Sequence, residues 1–284
     1  TYMVQTSSGR YVLRVYRAGW RSGDDVRYEI DVLRHLERLG VPVAAAIARR
    51  DASYLHILPA PEGPRHVVLF SYAPGKDDGG GEDHRLRYGR AVARIHSATD
   101  GFLSRHRRFP IDLNELLDKP LAVIEPLLYR RADDWQYLLA LAEKLRRQVT
   151  SLPMAELDWG FCHGDFHGGN AHVEGDTLTF FDFDCCGPGW RAYDIGVHLW
   201  SSGLDYRATM EERWRQFLQG YREVRPLNDV DLAATPLFAA IRQIWYMGLH
   251  AGNHRDWGYI RLNDRWFDWC LKFLRDWERD RLTS

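Results

Sequence analysis

The sequence predicts an α+β protein with two lobes, a small β-rich N-terminal lobe over residues 1–73 and a large helical C-terminal lobe over residues 74–284. Three observations predict this class. Four short segments rich in Val and Tyr surround one amphipathic helix before residue 73, and helical spacing dominates from Leu86 onward. Between these parts lies a Gly-rich stretch at about residues 73–82, which is typical of a linker.

The strands of the N-terminal lobe are predicted from the turns that separate them. The cluster Ser7-Ser8-Gly9 between two runs of Tyr and Val indicates a hairpin, and a Pro- and Gly-rich loop separates two further runs. The predicted strands are Tyr2 to Thr6, Arg10 to Arg17, Tyr54 to Leu58 and Val67 to Tyr72. The helix between them is expected to be capped by Asp24 or Asp25 and to end at Leu39, because Gly40 and Pro42 follow.

In the C-terminal lobe, Thr235 is expected to cap a helix that has Pro236 at its first position and Gly252 past its end. A last helix is predicted from about Asn263. Apolar residues at helical spacing predict further helices within Leu86–His96, Leu138–Val149 and Trp214–Tyr221.

The charge balance excludes one class of partner. Lys and Arg number 38 and Asp and Glu number 39, whereas a dedicated nucleic-acid or anionic-membrane binder normally carries a basic excess or a basic face. We therefore expect no nucleic-acid and no membrane partner. The short basic runs, Arg105 with Arg107 and Arg108 and Arg130 with Arg131, are predicted to be solvated surface.

Targeting signals are not visible in the sequence. No run approaches the ~18–20 apolar residues of a membrane span, and Thr1–Val4 lacks the charged and apolar regions of a signal peptide. Four cysteines are too few for a disulfide scaffold of this length. These observations predict a protein of the reducing cytoplasm.

The segment richest in chemistry runs from Cys162 to Asp184. Two short strands flank Glu174-Gly175-Asp176, and a hairpin folded about Gly175 and Asp176 brings Asn170 opposite Phe181, one residue from Asp182. Asp165 lies in the loop that leads into this hairpin. Hard oxygen ligands that leave room for phosphate oxygens are those that Mg²⁺ prefers.

The order of these residues is that of phosphoryl transfer. Four residues separate Asp165 from Asn170, and Asp182 lies twelve positions after Asn170. In the phosphoryl-transfer template an Asp accepts the hydroxyl proton, and an Asn and a second Asp hold the metal. The ordered set on a predicted hairpin is a more specific signal than His-Gly-Asp alone.

These motifs resemble the aminoglycoside phosphotransferase superfamily, the small-molecule relatives of the protein kinases. Within it the chain looks most like homoserine-kinase-type and stress-response Ser/Thr kinases of bacteria. The segments that carry the resemblance are His163-Gly164-Asp165 with Asn170, Tyr11–Arg17, Val41–Val43 and Asp182–Asp194. It covers nearly the whole chain and implies a bilobal protein-kinase-like fold.

The resemblance implies a kinase that uses ATP and Mg²⁺ and transfers the γ-phosphate to a hydroxyl. Asp165 would be the catalytic base, and Asn170 and Asp182 the metal ligands. His163 and Asp194 would support the catalytic loop. The acceptor would be a small molecule, such as an amino alcohol, an aminoglycoside or a homoserine-like compound, or a Ser/Thr side chain.

The N-terminal lobe contains two charged residues in apolar surroundings. Glu29 falls within the apolar stripe of Val26, Ile30 and Leu33 on the predicted helix, where a carboxylate is costly unless it is paired. The candidate partner is Arg14, in the middle of a strand rich in Val and Leu. In kinases this pair is Lys–Glu and its basic member reaches the α- and β-phosphates, so Arg14, supported by Glu29, is expected to contribute to nucleotide binding.

Backbone groups after the last strand of the small lobe would face the nucleotide. By position, Ser71, Tyr72 and Ala73 are the candidate adenine hinge. The resemblance also implies a first strand and a phosphate-covering loop before Tyr2, so we expect this lobe to lack its first strand in the sequence given.

Several alternatives are open from the sequence. Asp184 is either a second metal ligand or a loop carboxylate. His163 and His167 could instead belong to a metal-hydrolase cluster, although the intervening glycines disfavour a helix there. A pseudokinase that binds nucleotide or a partner without catalysis is the alternative function, because Arg14 stands where kinases carry Lys.

Overall fold

The computed structural model describes residues 1–77, 84–205, 207–259 and 261–282. Residues 78–83, which include half of the predicted linker, lie outside this part. The chain forms two compact units. The first unit comprises Thr1–Phe109, His167–Gly187 and Arg215–Pro226, and the second comprises Pro110–Phe166, Pro188–Trp214 and Leu227–Ser284.

The first unit is built on a four-stranded antiparallel sheet. Its strands are β1 (Tyr2–Thr6), β2 (Gly9–Val15), β3 (His56–Leu58) and β4 (Arg65–Ser71), in the order β1-β2-β4-β3. The register pairs Thr6 with Gly9 and Arg14 with Val68, so β2 lies between β1 and β4. The predicted hairpin is therefore present, and the last two strands are found within a few residues of their predicted bounds.

Helix α1 (Gly23–Arg38) packs its apolar stripe inside the first unit, with Val26 and Leu36 fully buried. The predicted cap is wrong. Ser22 is the cap, because its hydroxyl accepts from Asp25 N (3.1 Å) while Asp25 Oδ2 accepts from Ser22 N (2.9 Å). This reciprocal pair satisfies two backbone donors and begins the helix earlier than an acidic cap would.

A second hairpin of the first unit consists of β6 (Ala171–Glu174) and β7 (Thr177–Phe180). Helix α2 (His84–Ala98) packs Tyr88 edge-on against Phe180, with ring centroids 5.1 Å apart. The later part of α6 (Met210–Arg222) crosses α2 with two glycines at the contact. A Cβ at Gly89 would lie 2.1 Å from the carbonyl oxygen of Phe217, and one at Gly220 would lie 2.0 Å from that of Leu86.

The second unit is mostly helical. A short sheet pairs β5 (Trp159–Cys162) with β8 (Gly187–Trp190). The helices of this unit include α3 (Lys119–Ile124), α4 (Ala132–Ser151), α5 (Arg191–Asp205), α7 (Asp229–Gly252), α8 (His254–Trp257) and α9 (Asp264–Arg281), preceded by a π-helical turn at Asn114–Asp118. Helix α5 packs against α7 in the core of the unit.

The start of α7 differs from its prediction. Asn228 caps the helix by accepting from Asp231 N (2.6 Å), and Pro236 lies inside it. Thr235, the predicted cap, instead donates its hydroxyl to the carbonyl of Asp231 (2.8 Å) within the helix. The preference of Pro for the first turn is a local rule, and here it gives the wrong boundary because packing continues the helix through the proline. The last helix does begin after Asn263, which caps it.

The α+β class is confirmed, since an antiparallel sheet precedes a mostly helical part. The compact units do not divide at residue 73, because α2, the β6–β7 hairpin and Arg215–Pro226 group with the sheet. The lobe boundary at residue 73 stays a prediction. Among the described residues, no helix has the length and apolar character that a membrane crossing needs. The cytoplasmic location stays a prediction as well.

Candidate active site

The β6–β7 hairpin joins Asn170 to the segment that carries Asp182. Phe181 N donates to the carbonyl of Asn170 (3.0 Å), and the register continues from Ala171 paired with Phe180 to Glu174 paired with Thr177. The turn is thus centred on Gly175 and Asp176, as predicted. This arrangement places Asn170 and Asp182 at the open end of the hairpin.

Asp182 has an unusual backbone conformation. Its φ is +63° and its ψ is 57°, a left-handed conformation that residues other than Gly adopt rarely and often at functional sites. Its side chain is 45% exposed, and Oδ1 accepts from Arg14 Nη1 at 2.6 Å. Asp182 therefore combines an accessible carboxylate with a strained backbone.

Asp184 has a different environment. Its carboxylate is buried and accepts from Trp20 Nε1 (2.8 Å) and Arg21 Nε (3.0 Å), and it forms an ion pair with Arg14 Nη2 (3.2 Å). Burial opposes its ionisation, yet the guanidinium groups of Arg14 and Arg21 hold its pKa below the usual value. These contacts favour the loop-carboxylate alternative for Asp184.

The chemistry of Asn170 and Asp182 fits Mg²⁺. An amide oxygen and an accessible carboxylate oxygen are hard ligands, and Mg²⁺ commonly uses one or two carboxylates together with phosphate oxygens and water. Within the described ranges, no cluster of three or more His, Cys, Asp or Glu side chains is arranged to hold a metal ion. A site completed by phosphate oxygens is consistent with this small protein ligand set.

A cavity of about 290 Å³ lies beside these residues in the first unit. Arg14, Glu29 and Asp182 contribute charged groups to its lining. The rest of its lining is mostly apolar: Thr1, Val12, Leu33, Ala44, Phe70, Ser71, Tyr72, Ala73, His172, Phe181 and Phe183. The cavity thus combines an apolar wall with charged groups, as a nucleotide site requires.

Glu29 and Arg14 both line the cavity, but the predicted direct pair is not formed. The Tyr16 hydroxyl donates to Glu29 Oε2 at 2.7 Å, whereas Arg14 contacts Asp182 and Asp184. Glu29 is 1% exposed, and this burial raises its pKa to about 7 even though the charge of Arg14 acts in the opposite direction. The guanidinium of Arg14 pairs with Asp182 and Asp184 in place of Glu29. The apolar pattern of helix α1 carries no information about these two carboxylates.

The candidate hinge residues lie at the cavity, and two of their backbone groups have protein partners. Ser71 N donates to the carbonyl of Ala45 (2.8 Å), and the Ala73 carbonyl bonds to His172 Nδ1 (2.8 Å). The ring of Tyr72 packs under the guanidinium of Arg10 at 4.1 Å. The assignment of this segment to adenine binding stays a prediction.

Asp165 lies in the second unit, in a loop with a well-anchored backbone. The two carboxylate oxygens of Asp194, on α5, accept from His163 N and Gly164 N, each at 2.7 Å. His163 Nδ1 accepts from Asp165 N (3.2 Å), and its ring stacks on Phe166. The structure thus places His163 and Asp194, the two predicted support residues, in contact with the loop.

The alternative metal-hydrolase cluster receives no support from the contacts of its two histidines. Nδ1 of His163 accepts from the loop backbone, and Nδ1 of His167 accepts from Gly169 N at 3.1 Å. In both histidines a ring nitrogen therefore accepts a hydrogen bond from the backbone of its own loop.

Sequence reasoning missed two buried arginines. Arg242, on α7, is 3% exposed and donates through Nη2 to Asp165 Oδ1. Arg108, expected at the solvated surface, has a fully buried side chain and donates to the main-chain carbonyl of Asp184. Arg242 had a usable signal, a single charge in the apolar stretch Leu237–Met247, while Arg108 was hidden in a basic run.

Comparison with known proteins gives this geometry a context. An uncharacterized protein of Deinococcus radiodurans is 41% identical over 281 residues, covering 98% of this chain and 82% of that protein. The amicoumacin kinase of Bacillus subtilis is 27% identical, covering 84% of this chain and 73% of that protein.

Solved structures show the fold. An amicoumacin kinase in complex with AMP-PNP, Ca²⁺ and Ami superposes with a TM-score of 0.80 at 22% identity, covering 99% of this chain and 85% of that chain. This likeness confirms the protein-kinase-like fold, while the narrower resemblance to stress-response kinases stays a prediction. Residues 1–227 match the Phosphotransferase enzyme family. The chain therefore belongs to that family, whose relatives here include kinases of small molecules.

Proposed function

We propose that this protein transfers the γ-phosphate of ATP, with Mg²⁺, to a hydroxyl group of a small molecule. The observation that carries the proposal is the hairpin that joins Asn170 to the Asp182 segment beside a cavity lined by Arg14. The ordered motif connects this hairpin to Asp165, only five positions before Asn170 in the sequence. The solved amicoumacin kinase with AMP-PNP and Ca²⁺ supports a nucleotide and a divalent cation as ligands.

Each residue of the proposed mechanism acts through chemistry that its surroundings allow. Arg14 binds phosphate oxygens through its guanidinium, which suits oxyanions because of its planar pair of donors. Asn170 and Asp182 would hold Mg²⁺, which supplies neutralisation of the phosphate charge when bound. Asp165 orients the acceptor hydroxyl and takes its proton as the phosphoryl group is transferred.

The acceptor is proposed to be a small alcohol or amino alcohol. Relatives and structural neighbours include kinases of amicoumacin, homoserine and aminopropanol, and each of these names indicates a small-molecule acceptor. A protein Ser/Thr side chain is the second acceptor class to be tested, because the resemblance includes kinases of that type. The pseudokinase alternative predicts nucleotide binding without transfer.

The test is transfer of radiolabelled phosphate from ATP to these three compounds, to a metabolite extract and to a protein extract. Asp165→Asn should lower the transfer rate about 10²–10⁴-fold, because a general base contributes about that much, and should leave ATP affinity unchanged. Asp158→Asn, another carboxylate of the second unit, which pairs with Arg191, is the matched control and should retain activity. Full activity of Asp165→Asn would overturn the assignment, and nucleotide binding with no transfer to any acceptor would establish the pseudokinase.

A further inference from the structure

Arg242 contacts both the side chain and the backbone of the Asp165 loop. Its Nη2 donates to Asp165 Oδ1, and its Nη1 donates to the carbonyl of Gly164 at 3.2 Å and to the Tyr193 hydroxyl at 3.3 Å. All of these residues belong to the second unit. One guanidinium therefore engages two successive residues of the loop that carries the proposed base.

The guanidinium is itself held by two aromatic rings. Its central carbon lies 4.2 Å from the ring centroid of Trp245 and 5.1 Å from that of Trp200. Trp200 is fixed in turn, since its Nε1 donates to Gln243 Oε1 at 2.7 Å. A planar guanidinium packed against indole rings loses rotational freedom, so Arg242 presents its donors in one orientation.

The loop backbone has supports of its own. Asp194 accepts from His163 N and Gly164 N, and His163 Nδ1 accepts from Asp165 N. The contact of Arg242 with the Asp165 carboxylate therefore adds what these bonds do not provide, a fixed orientation of the side chain. That side chain is 19% exposed, so part of it is accessible to another molecule.

We propose that Arg242 is the positioning residue of Asp165: it binds Oδ1, fixes the orientation in which the carboxylate meets the acceptor hydroxyl, and favours the ionised carboxylate. This inference rests on the proposed function of Asp165 as the base. A nearby cation favours the charged form of a carboxyl group, and a fixed orientation preserves the geometry that proton transfer needs. Among the contacts given above, the carboxylate of Asp165 meets Arg242, and its backbone N donates to the His163 ring.

The test compares Arg242→Met and Arg242→Lys with a matched control. Arg242→Met should lower kcat about 10²-fold, as small misplacements of catalytic groups do, with little change in the KM for ATP. The acid limb of its kcat–pH profile should move to higher pH, because the carboxylate has lost its cation. Arg242→Lys should recover part of kcat and return the acid limb toward its wild-type position.

The control is Arg191→Met. Arg191 is equally buried in the second unit and pairs with Asp158 at 2.7 Å, away from the Asp165 contacts. Its loss should lower Tm and leave both the profile and kcat unchanged. A wild-type profile in Arg242→Met, or the same shift in Arg191→Met, would overturn the proposal.

A second measurement separates this proposal from the proposed function. Arg242→Met, Asp165→Asn and the double variant are compared by thermal unfolding, which requires no catalysis. The double variant should lose less Tm than the sum of the single losses, since both changes remove the same ion pair. Coupling without any phosphate transfer by the wild type would show that Arg242 holds Asp165 but would overturn the proposed function and with it the role of Asp165 as the base, whereas additive losses would show that Arg242 does not hold Asp165.

Discussion

Two loops of this protein each carry a carboxylate that pairs with an arginine, and the two pairs differ in how far the protein encloses them. In the second unit, Arg242 is 3% exposed, and aromatic rings pack against it. In the first unit, Arg14 and Asp182 are 20% and 45% exposed and lie at a cavity. The Arg242–Asp165 pair is oriented by the protein alone. The Arg14–Asp182 pair keeps its charges where a phosphate or a cation can reach them.

The loop of the first unit repeats this contrast over three residues. Asp182 is accessible and has a positive φ, whereas Asp184 is enclosed by Trp20, Arg14 and Arg21. Spacing alone makes the two equivalent as metal ligands. Burial and hydrogen bonding distinguish them: the contacts of Asp184 favour a structural role, and Asp182 stays the proposed metal ligand.

Asp184→Asn and Asp182→Asn test this division most strongly. Asp184→Asn should lower the free energy of unfolding by about 3–5 kcal/mol, since it leaves the largely buried Arg21 without its carboxylate and Arg14 with Asp182 alone. Asp182→Asn should lower it by about 1 kcal/mol or less, because its carboxylate is accessible and Asn tolerates a positive φ. Urea unfolding measures both values. Equal losses would contradict the separate assignments.

The same two variants should rank in the opposite order when the loss of Mg²⁺-dependent stabilisation is measured. Stabilisation of the folded protein by Mg²⁺ with an ATP analogue should be lost in Asp182→Asn. In Asp184→Asn it should persist at temperatures where that variant is folded.

Arg14 gives the next largest effect. Arg14→Met should weaken binding of a non-hydrolysable ATP analogue about tenfold or more, the value of one charge-assisted hydrogen bond, whereas Arg14→Lys keeps the charge and should stay within a few-fold. Calorimetric titration measures the affinity. Arg49→Met is the control, because Arg49 pairs with Asp51 on the surface of the same unit. An Arg14→Met protein that binds the analogue normally would remove Arg14 from the site.

The smallest effect concerns the pH dependence of stability. Burial raises the pKa of Glu29 to about 7, so the folded state retains a proton that the unfolded chain releases near pH 4.5. Wild-type stability should therefore fall relative to Glu29→Gln as the pH rises from about 4.5 to 7, by on the order of 1–2 kcal/mol. Denaturant unfolding at pH 5 and pH 7.5 measures the change. The exposed Glu37→Gln on the same helix is the control, and an identical pH dependence of the two variants would show that Glu29 is not buried as a neutral acid.

Local patterns predicted the parts of the fold that are determined locally. The β6–β7 hairpin and the end of α1 follow from turn residues a few positions away. The partners of Arg242 and Arg108 are 77 and 76 residues distant in sequence, and no periodicity connects them. The same reason explains Glu29, where the sequence identified a buried carboxylate but not the tyrosine that contacts it. Asp165, Asn170 and Asp182 were recognised as a set because their order, and not their surroundings, carries the signal.

The crossing of α2 and α6 has a consequence for the first unit. At Gly89 and Gly220 a hydrogen atom fills the space where a methyl group would overlap a carbonyl oxygen of the facing helix. Tyr88, the neighbour of Gly89, packs on Phe180 and donates to the carbonyl of His167, in the two segments on either side of Asn170. A methyl group on either α-carbon would push α2 and α6 apart. Because Tyr88 contacts the segments on both sides of Asn170, this displacement would move the Asn170 loop. Substitution of Gly89 or Gly220 is therefore expected to shift the Asn170 loop, although neither glycine carries a reactive group.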